Sequence, residues 1–407
     1  MTRDLKVAVL GGGVAGAAAA VALRRTGAEV TVYEAYQDPA GTVGSFVSLA
    51  SNGLRGLDVL GCLAPVQRAG FGVERQRMWA GNGKQLGDVP RGRRDGDPLL
   101  SVTLMRGDLV SVLRAAGVRA GARIVCGERI GAAALAGLRD RHDLVVGADG
   151  IWSATREFLD PAAPQPSYAG MYTVSGVSAG LGLAPGAFNL TFGRAGAFIH
   201  LPAPDGLVWW SAQVAAPQPP AGLAAVGPAR LAQLFSREPR VAAILAAATG
   251  PVTATLQHVL GPVTRRHDGR TVLIGDAAHP AGAGQGASMA IEDAVVLARE
   301  LHATRTSAGR AQDRVAAALA RFDALRAQRI GQLARAATRN RDAKTAGPLT
   351  AALRNLIMPL VFSRAYPRAT GWLYDYDLGT LPDAADFSVP AGAGASRETT
   401  ACPGRIG

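Results

Sequence analysis

Cysteine is scarce: Cys62, Cys126 and Cys402 are the three in 407 residues. They are too few and too far apart for a disulfide framework or a metal cluster, which points to a reducing, cytoplasmic setting. Aromatic residues make up only 5%. Acidic residues are outnumbered, 31 against 43 Lys and Arg, leaving a net charge of +12. A basic balance can serve a nucleic acid, a membrane surface or an anionic small molecule. The arginines are scattered, apart from Arg91, Arg93 and Arg94 in one polar loop. No nucleic-acid motif accompanies them, so nucleic acid is not an expected partner. Long apolar runs are also rare. Residues 7–23, after Arg3 and Lys6, could imitate a signal peptide or a short span. Four glycines interrupt that run at motif spacing and it leads into another strand, so it reads as neither. No nucleophile triad or metal-ligand cluster is visible, which leaves hydrolase and metalloenzyme chemistry without support and metal not expected.

Glycine is plentiful, at 51 residues, and a hydrophobic content of 48% is ample for two domains or one with insertions. Residues 6–10 read as a buried strand. Gly11, Gly13 and Gly16 then form GxGxxG, entering an alanine-rich helix to about Arg25. A second strand over 29–33 ends at Glu34, roughly twenty residues past the loop, where an acid binds ribose hydroxyls. A carboxylate there disfavours a 2′-phosphate, so the resident dinucleotide is FAD or NAD.

The stretch that organises the rest is 275–294, GDAAHPAGAGQGASMAIEDA. An apolar run precedes it and a helical pattern follows, giving strand, tight turn, glycine loop and helix. Asp276 stands at the strand end, where a carboxylate can hold a ligand hydroxyl. Gly284, Gln285 and Gly286 let backbone approach a flat ligand, and the next helix points its positive end there. Between these motifs, 143–156 reads DLVVGADGIWSATR: a strand into Asp149 and Gly150, then a helix with Ser153 and Arg156. Residues 76–89 form a hairpin turning at 81–83. A strand over 99–104 leads to Arg106, which opens a helix and is a plausible cofactor contact. Strands near 171–178, 188–192, 198–202 and 207–214 predict an antiparallel sheet roofing the cofactor. His200, Trp210 and Gln213 lie on it. Helices follow over 311–346 and 349–361, and 390–407 is expected to be disordered.

Taken together, GxGxxG with Glu34, Asp149–Gly150 with Ser153 and Arg156, and Gly275–Asp276 with GQG resemble the single-component FAD-dependent monooxygenases. These are the flavoprotein aromatic hydroxylases related to para-hydroxybenzoate hydroxylase. The resemblance covers residues 1 to about 380. It implies an α/β architecture: a Rossmann-type FAD-binding domain, an inserted antiparallel-sheet substrate domain, and C-terminal helices. The corresponding divisions are 1–75, 96–160 and 263–302 for FAD, and 76–95 with 161–262 for substrate. Residues 303–384 would be the helical region and 385–407 a disordered tail. Gly11, Gly13 and Gly16 are similar to the pyrophosphate glycines, Glu34 to the ribose acid, and Arg106 to the FAD-contacting arginine. Asp276 is similar to the ribityl-binding acid. Pro280, Gly284, Gln285, Gly286, Ala287 and Ser288 match the loop under the flavin, and Asp149 and Arg156 the motif tied to FAD and the nicotinamide.

The resemblance implies transient NADPH or NADH as reductant, since no second nucleotide fingerprint exists. It implies hydroxylation by O2 of a hydrophobic aromatic or polyketide-like molecule through a flavin C4a-hydroperoxide. His200 is the expected base for a phenol, with Trp210 and Gln213 as substrate contacts. Epoxidation or Baeyer–Villiger oxygenation would use the same scaffold. An NAD-dependent dehydrogenase and a non-catalytic flavin-binding protein are the readings from other classes. A monomer or homodimer without membrane insertion is expected. The chain departs from the family pattern in four places. The loop from His279 to Gln285 is about two residues short, Ala35 follows Glu34, and Ser288 replaces a common asparagine. Residues 127–142 are too few for the usual strand pair.

Overall fold

The computed structural model describes residues 4–38, 45–280, 284–344 and 348–382. The tail expected to be disordered, 385–407, lies outside the described residues, as does part of the short loop, 281–283.

Strand β1 (Lys6–Leu10) is covered on both faces, so it is a continuous apolar run rather than an alternating one. Helix α1 (Val14–Arg24) lies close against the sheet because its inner residues are small: Ala17, Ala18, Ala19, Ala20 and Ala22 are all buried. Strand β2 (Glu29–Glu34) then pairs in parallel with β1, Lys6 opposite Glu29 and Leu10 opposite Tyr33. This crossover sets the first glycine turn at the carboxyl edge of the sheet.

Strand β3 (Phe46–Leu49), helices α2 (Ser51–Val59) and α3 (Leu63–Ala69) and strand β4 (Phe71–Val73) come next. Strands β5 (Arg75–Ala80) and β6 (Gln85–Pro90) form the hairpin expected over 76–89. Strand β7 (Ser101–Met105) pairs antiparallel with β3 and β4 in a small sheet that the sequence pattern does not announce. Helix α4 (Arg106–Arg119), strand β8 (Arg123–Cys126), helix α5 (Ala132–Arg141), strand β9 (Leu144–Gly147) and helix α6 (Ala154–Leu159) follow. The segment judged too short for a strand pair is largely α5, anchored by buried Leu135 and Leu138.

Strands β10 (Ser167–Ser178), β11 (Ala187–Phe192), β12 (Gly196–Pro202) and β13 (Val208–Ala215) precede helices α7 (Pro228–Leu234) and α8 (Pro239–Ala246), and β14 (Ala248–Val259) closes the insertion. With β5 and β6 they build a seven-stranded sheet of order β14-β10-β13-β12-β11-β5-β6. Helices α7 and α8 cover one face, where Val174, Phe198 and Trp210 meet Leu231, Phe235 and Ile244. The other face carries Leu190, Ala197 and Leu201.

Strand β15 (Thr271–Leu273) completes a parallel sheet of order β15-β9-β1-β2-β8. Helices α9 (Gly286–Ala303), α10 (Ala311–Lys344) and α11 (Pro348–Tyr374) end the described chain. Helix α11 runs well past the expected 349–361 and includes Pro359 and Pro367. Each proline removes a backbone donor. Tertiary packing compensates: Phe362 is buried against Gly87, where a Cβ would overlap the ring at 2.1 Å. The α/β class, Rossmann-type sheet, antiparallel sheet and C-terminal helices are those expected. No helix among the described residues is long and apolar enough to cross a membrane.

Candidate cofactor and substrate site

Gly11 has φ +95°, and a Cβ on it would sit 2.4 Å from the Ala148 carbonyl oxygen. A Cβ on Gly16 would lie 1.8 Å from the Gly11 oxygen. Side chains at these two positions would therefore force β1, β9 and α1 apart. Gly13 is the N-cap of α1 and no side chain caps it, so the first-turn donors are open to an anion. Glu34 is buried, and its two oxygens accept the Gly12 and Tyr36 N–H groups at 2.7 and 2.8 Å. This clamp fixes the carboxylate at the strand end while leaving it lone pairs for ribose.

Arg106 is exposed at the N-terminus of α4, where the helix dipole is unfavourable for a cation. Its Nη2 lies 3.5 Å from the point a Gly13 Cβ would occupy. The guanidinium thus hangs over the glycine loop, and its charge reaches Asp276.

Asp276 is in the short 3-10 turn after β15. Its side chain is open to solvent at the cleft, yet surrounding protein desolvates the carboxyl and raises its pKa, against the opposing pull of His279 and Arg106. It makes no hydrogen bond within the described residues. Pro280 is half-buried, Gly284 exposed, and Gln285 buried with an unpartnered Oε1. Gln285 is the N-cap of α9, and its side chain does not cap the helix. Gly286 and Ala287 are half-buried at the first turn. Ser288 points elsewhere: it is 1% exposed and packs on Gly53 of α2, where a Cβ would lie 2.5 Å from its Oγ.

Asp149 works inside its own turn. It accepts Ser153 Oγ at 2.6 Å and both the N–H and Oγ1 of Thr155 at 2.9 Å. Ser153, not Asp149, is the N-cap of α6. Arg156 is buried and donates to the carbonyls of Ala277 at 3.2 Å and Ile151 at 2.7 Å. It therefore ties the Asp149 turn to the Asp276 turn.

The strand register separates the three sheet residues. His200 stands opposite Trp210, and Ala197 opposite Gln213. His200 and Trp210 share the face of Phe198, beneath α7 and α8. Burial, and then the Arg240 charge, push His200 down to about 3. The expectation that His200 and Trp210 line the cleft is therefore corrected: a side chain one position along a strand points to the opposite face. Gln213 does face the other way, with Trp209, and its Oε1 is unpartnered. Trp209 meets Phe46 at 6.1 Å and Phe71 at 5.1 Å between ring centroids. Ser45, beside Phe46, accepts the Arg106 N–H. The wall thus runs continuously from the glycine loop through Arg106 and Phe46 to Trp209.

A buried ionic network behind Asp276 was not read from the sequence. Asp293 on α9 accepts His279 Nε2 at 2.5 Å, the Gly275 N–H at 2.9 Å and Arg326 Nε at 2.7 Å. Glu292 accepts Arg326 Nη1 at 2.7 Å, Arg329 at 2.5 and 2.6 Å, and Asn52 Nδ2 at 2.6 Å. Burial alone would push His279 down, but the Asp293 carboxylate outweighs it and the net shift is upward. Burial would raise Asp293, but His279 and Arg326 hold it well below the usual range. The IEDA run after the glycine loop is the sequence signal that was available.

The sign of the His279 shift gives a testable pH dependence. Its folded pKa exceeds the ordinary value of about 6.5. The stability from its charged form is therefore fully present below that value and lost as pH rises through the folded pKa. Asp293 is depressed, so its own contribution persists above the ordinary carboxylate pKa. The melting-temperature gap between wild type and His279→Gln should shrink as the pH is raised above the ordinary histidine value of about 6.5. A gap that stays constant would remove the charged pair.

Two uncapped helix N-termini, a clamped acid and a second, open acid face one cleft beside an inserted sheet. This arrangement defines an α/β dinucleotide-binding protein with a seven-stranded sheet beside the cleft. The chain belongs to the FAD binding domain family, whose model matches residues 4–337. It is 32% identical over 355 residues to the aurachin C monooxygenase/isomerase of Stigmatella aurantiaca, covering 81% of this chain and 87% of that one. It is also 32% identical over 359 residues to the 3-amino-4-hydroxybenzoate 2-monooxygenase PtnB3 of Streptomyces platensis, covering 82% and 87%. A structure of Klebsiella pneumoniae HpxO complexed with FAD and uric acid shares the fold. Its TM-score is 0.74 at 23% identity, with 91% of this chain and 96% of that one covered. The protein is an FAD-dependent oxidoreductase of the monooxygenase class. The residues present fit FAD: the Asp276 carboxyl faces the cleft with no hydrogen-bond partner among the described residues, and the helix ends there carry no side-chain cap.

Proposed function

We propose that the protein uses NAD(P)H and O2 to insert one oxygen atom, by hydroxylation, into a hydrophobic aromatic or polyketide-like small molecule. The observation that carries this reading is the aromatic wall of Phe46, Phe71 and Trp209 joined to a dinucleotide cleft. When bound, FAD accepts hydride from the nicotinamide and passes electrons to oxygen. The chain's own part is positional. Gly11, Gly13 and Gly16 admit the pyrophosphate, Glu34 takes the adenosine ribose, and Asp276 takes a hydroxyl near the flavin. The N-terminus of α9 offers positive potential to an anionic ring. The apolar sheet face excludes water from the reacting centre. Gln213, with its free amide oxygen, is a polar substrate contact on that face. On this reading the cofactor is held by 1–75, 96–160 and 263–302, and the substrate by 76–95 and 161–262.

The test is NADPH and NADH oxidation with oxygen uptake by the purified yellow protein across phenols and polycyclic aromatics. Coupled, substrate-stimulated oxygen use with a hydroxylated product is the expected result. Rapid NAD(P)H oxidation that yields only hydrogen peroxide for every compound would sink the proposal.

A further inference from the structure

Helix α8 starts on an acid that does not cap it. Glu238 is the N-cap, and its side chain accepts none of the first-turn N–H groups, although a short acid or hydroxyl at that position ordinarily takes one. Instead its Oε1 accepts the Arg194 N–H at 3.0 Å, in the turn between β11 and β12. Two glycines leave room for this. A Cβ on Gly193 would lie 3.0 Å from that oxygen, and a Cβ on Gly81 3.1 Å. The contact ties α8 to the sheet and accounts for Oε1. It does not account for Oε2, which is buried without a partner among the described residues. Glu238 is only 3% exposed, and a carboxylate oxygen left without a donor there is costly.

Thr191 has the same defect. It is 4% exposed, and its Oγ1 also has no partner among the described residues. In the strand register it stands opposite Phe198 on one side and Trp79 on the other. That places it on the face covered by α7 and α8. Its chain neighbours Leu190 and Phe192 point to the other face. Thr191 and Glu238 line one cavity of about 220 Å³, with Gly81 and the first turn of α8, Pro239, Arg240 and Val241.

Arg240 brings the opposite charge. It is exposed, its guanidinium carbon lies 4.2 Å from the Trp79 ring centroid, and it makes no ion pair with a carboxylate among the described residues. Trp79 is itself fixed by donating Nε1 to Asn189 Oδ1 at 3.0 Å. The Ala242 N–H makes the first helical bond, to the Glu238 carbonyl at 2.9 Å. The N–H groups of Arg240 and Val241 therefore have no acceptor within the helix. The cavity is acidic where it is buried and basic at its rim.

We propose that this cavity is a second ligand site, separate from the cofactor cleft, and that it takes a small α-amino acid as the zwitterion. The ammonium group donates to Glu238 Oε2 and Thr191 Oγ1. The carboxylate meets Arg240 and the first turn of α8. A ligand with one charge satisfies one end and leaves the other bare. Glu238 and Arg240 flank a single residue, Pro239, so both charges must sit close together on the ligand. The volume falls below the about 300–1,000 Å³ of sites for drug-sized ligands, which keeps the amino acid small. The sheet separates this cavity from the face that carries Leu190 and Leu201.

The test is isothermal titration of the FAD-loaded protein with three matched probes: L-alanine, propionate, which lacks the ammonium group, and ethylamine, which lacks the carboxylate. L-Alanine should bind about tenfold tighter or more than either. Glu238→Gln keeps an oxygen for the Arg194 N–H and turns the free acceptor into a donor. It should erase the preference for L-alanine over propionate. Arg240→Gln, at an exposed position, should erase the preference over ethylamine. Thr191→Val, nearly equal in shape, should weaken L-alanine several-fold and leave FAD content and melting temperature unchanged; it decides the matter if Glu238→Gln melts well below wild type. No binding of L-alanine, or equal binding of all three probes, would overturn the proposal. So would L-alanine binding that survives Thr191→Val and Arg240→Gln intact, since the ligand would then lie elsewhere.

Discussion

Asp276→Ala should lose most of its FAD on purification and yet remain folded. The lost contact is a hydrogen bond between a ligand hydroxyl and a charged acceptor, worth about 1.5–3 kcal/mol. That corresponds to roughly 10- to 150-fold weaker FAD binding. The fold should be spared because Asp276 makes no hydrogen bond within the described residues and faces the cleft. Its raised pKa points the same way. A carboxyl whose folded pKa lies above its unfolded value weakens the folded state at neutral pH, so removing it relieves the protein. Cofactor-free Asp276→Ala should then melt at or above cofactor-free wild type. Added FAD should raise the melting temperature of wild type by mass action and move the variant far less. The visible flavin-to-protein absorbance ratio and two melting curves decide it. Full FAD occupancy in the variant would refute the assignment, and a melting temperature well below wild type would show a structural role.

Much of this site was legible because its parts are local. GxGxxG, the acid at the end of β2 and the turn at Gly275–Asp276 each fit within about two dozen residues. Their meaning follows from steric and electrostatic limits that hold in any fold. The inserted sheet was legible as strands, but its faces were not. Trp209 and Trp210 are neighbours in sequence and point to opposite sides. Which side meets the cleft depends on α7 and α8, helices that cover Trp210 from 20 to 35 residues downstream. His200 looked like a base because it lies on a strand of the sheet expected to roof the cofactor. Its face was fixed by the same distant helices. The Asp293 network failed to show because Glu292, Asp293, Arg326 and Arg329 lie on two helices whose pairing no local pattern specifies.

That network carries the largest stability effect. Arg326 is fully buried on α10 and contacts two carboxylates that are themselves 0% and 1% exposed. Arg326→Met keeps much of the stem volume and removes the charge. Asp293 then retains His279 and the Gly275 N–H, and Glu292 retains Arg329 and Asn52. Each nevertheless loses a counter-charge in an interior where water cannot replace it. Breaking a buried pair from one side costs about 3–5 kcal/mol, and the remaining partners place this case toward the lower figure. Urea unfolding of the cofactor-free protein should therefore show a loss of about 3 kcal/mol. Arg326→Lys should lose less, since it keeps the charge and gives up the two-pronged geometry. Adding Asp293→Asn to Arg326→Met should cost less than the sum of the two single changes, because the orphaned charge is gone. FAD affinity should fall as well, since Asp293 holds both the Gly275 N–H and His279 at the turn that presents Asp276. A methionine variant within about 0.5 kcal/mol of wild type, the range of an ordinary surface change, would show that the network does not hold the turn.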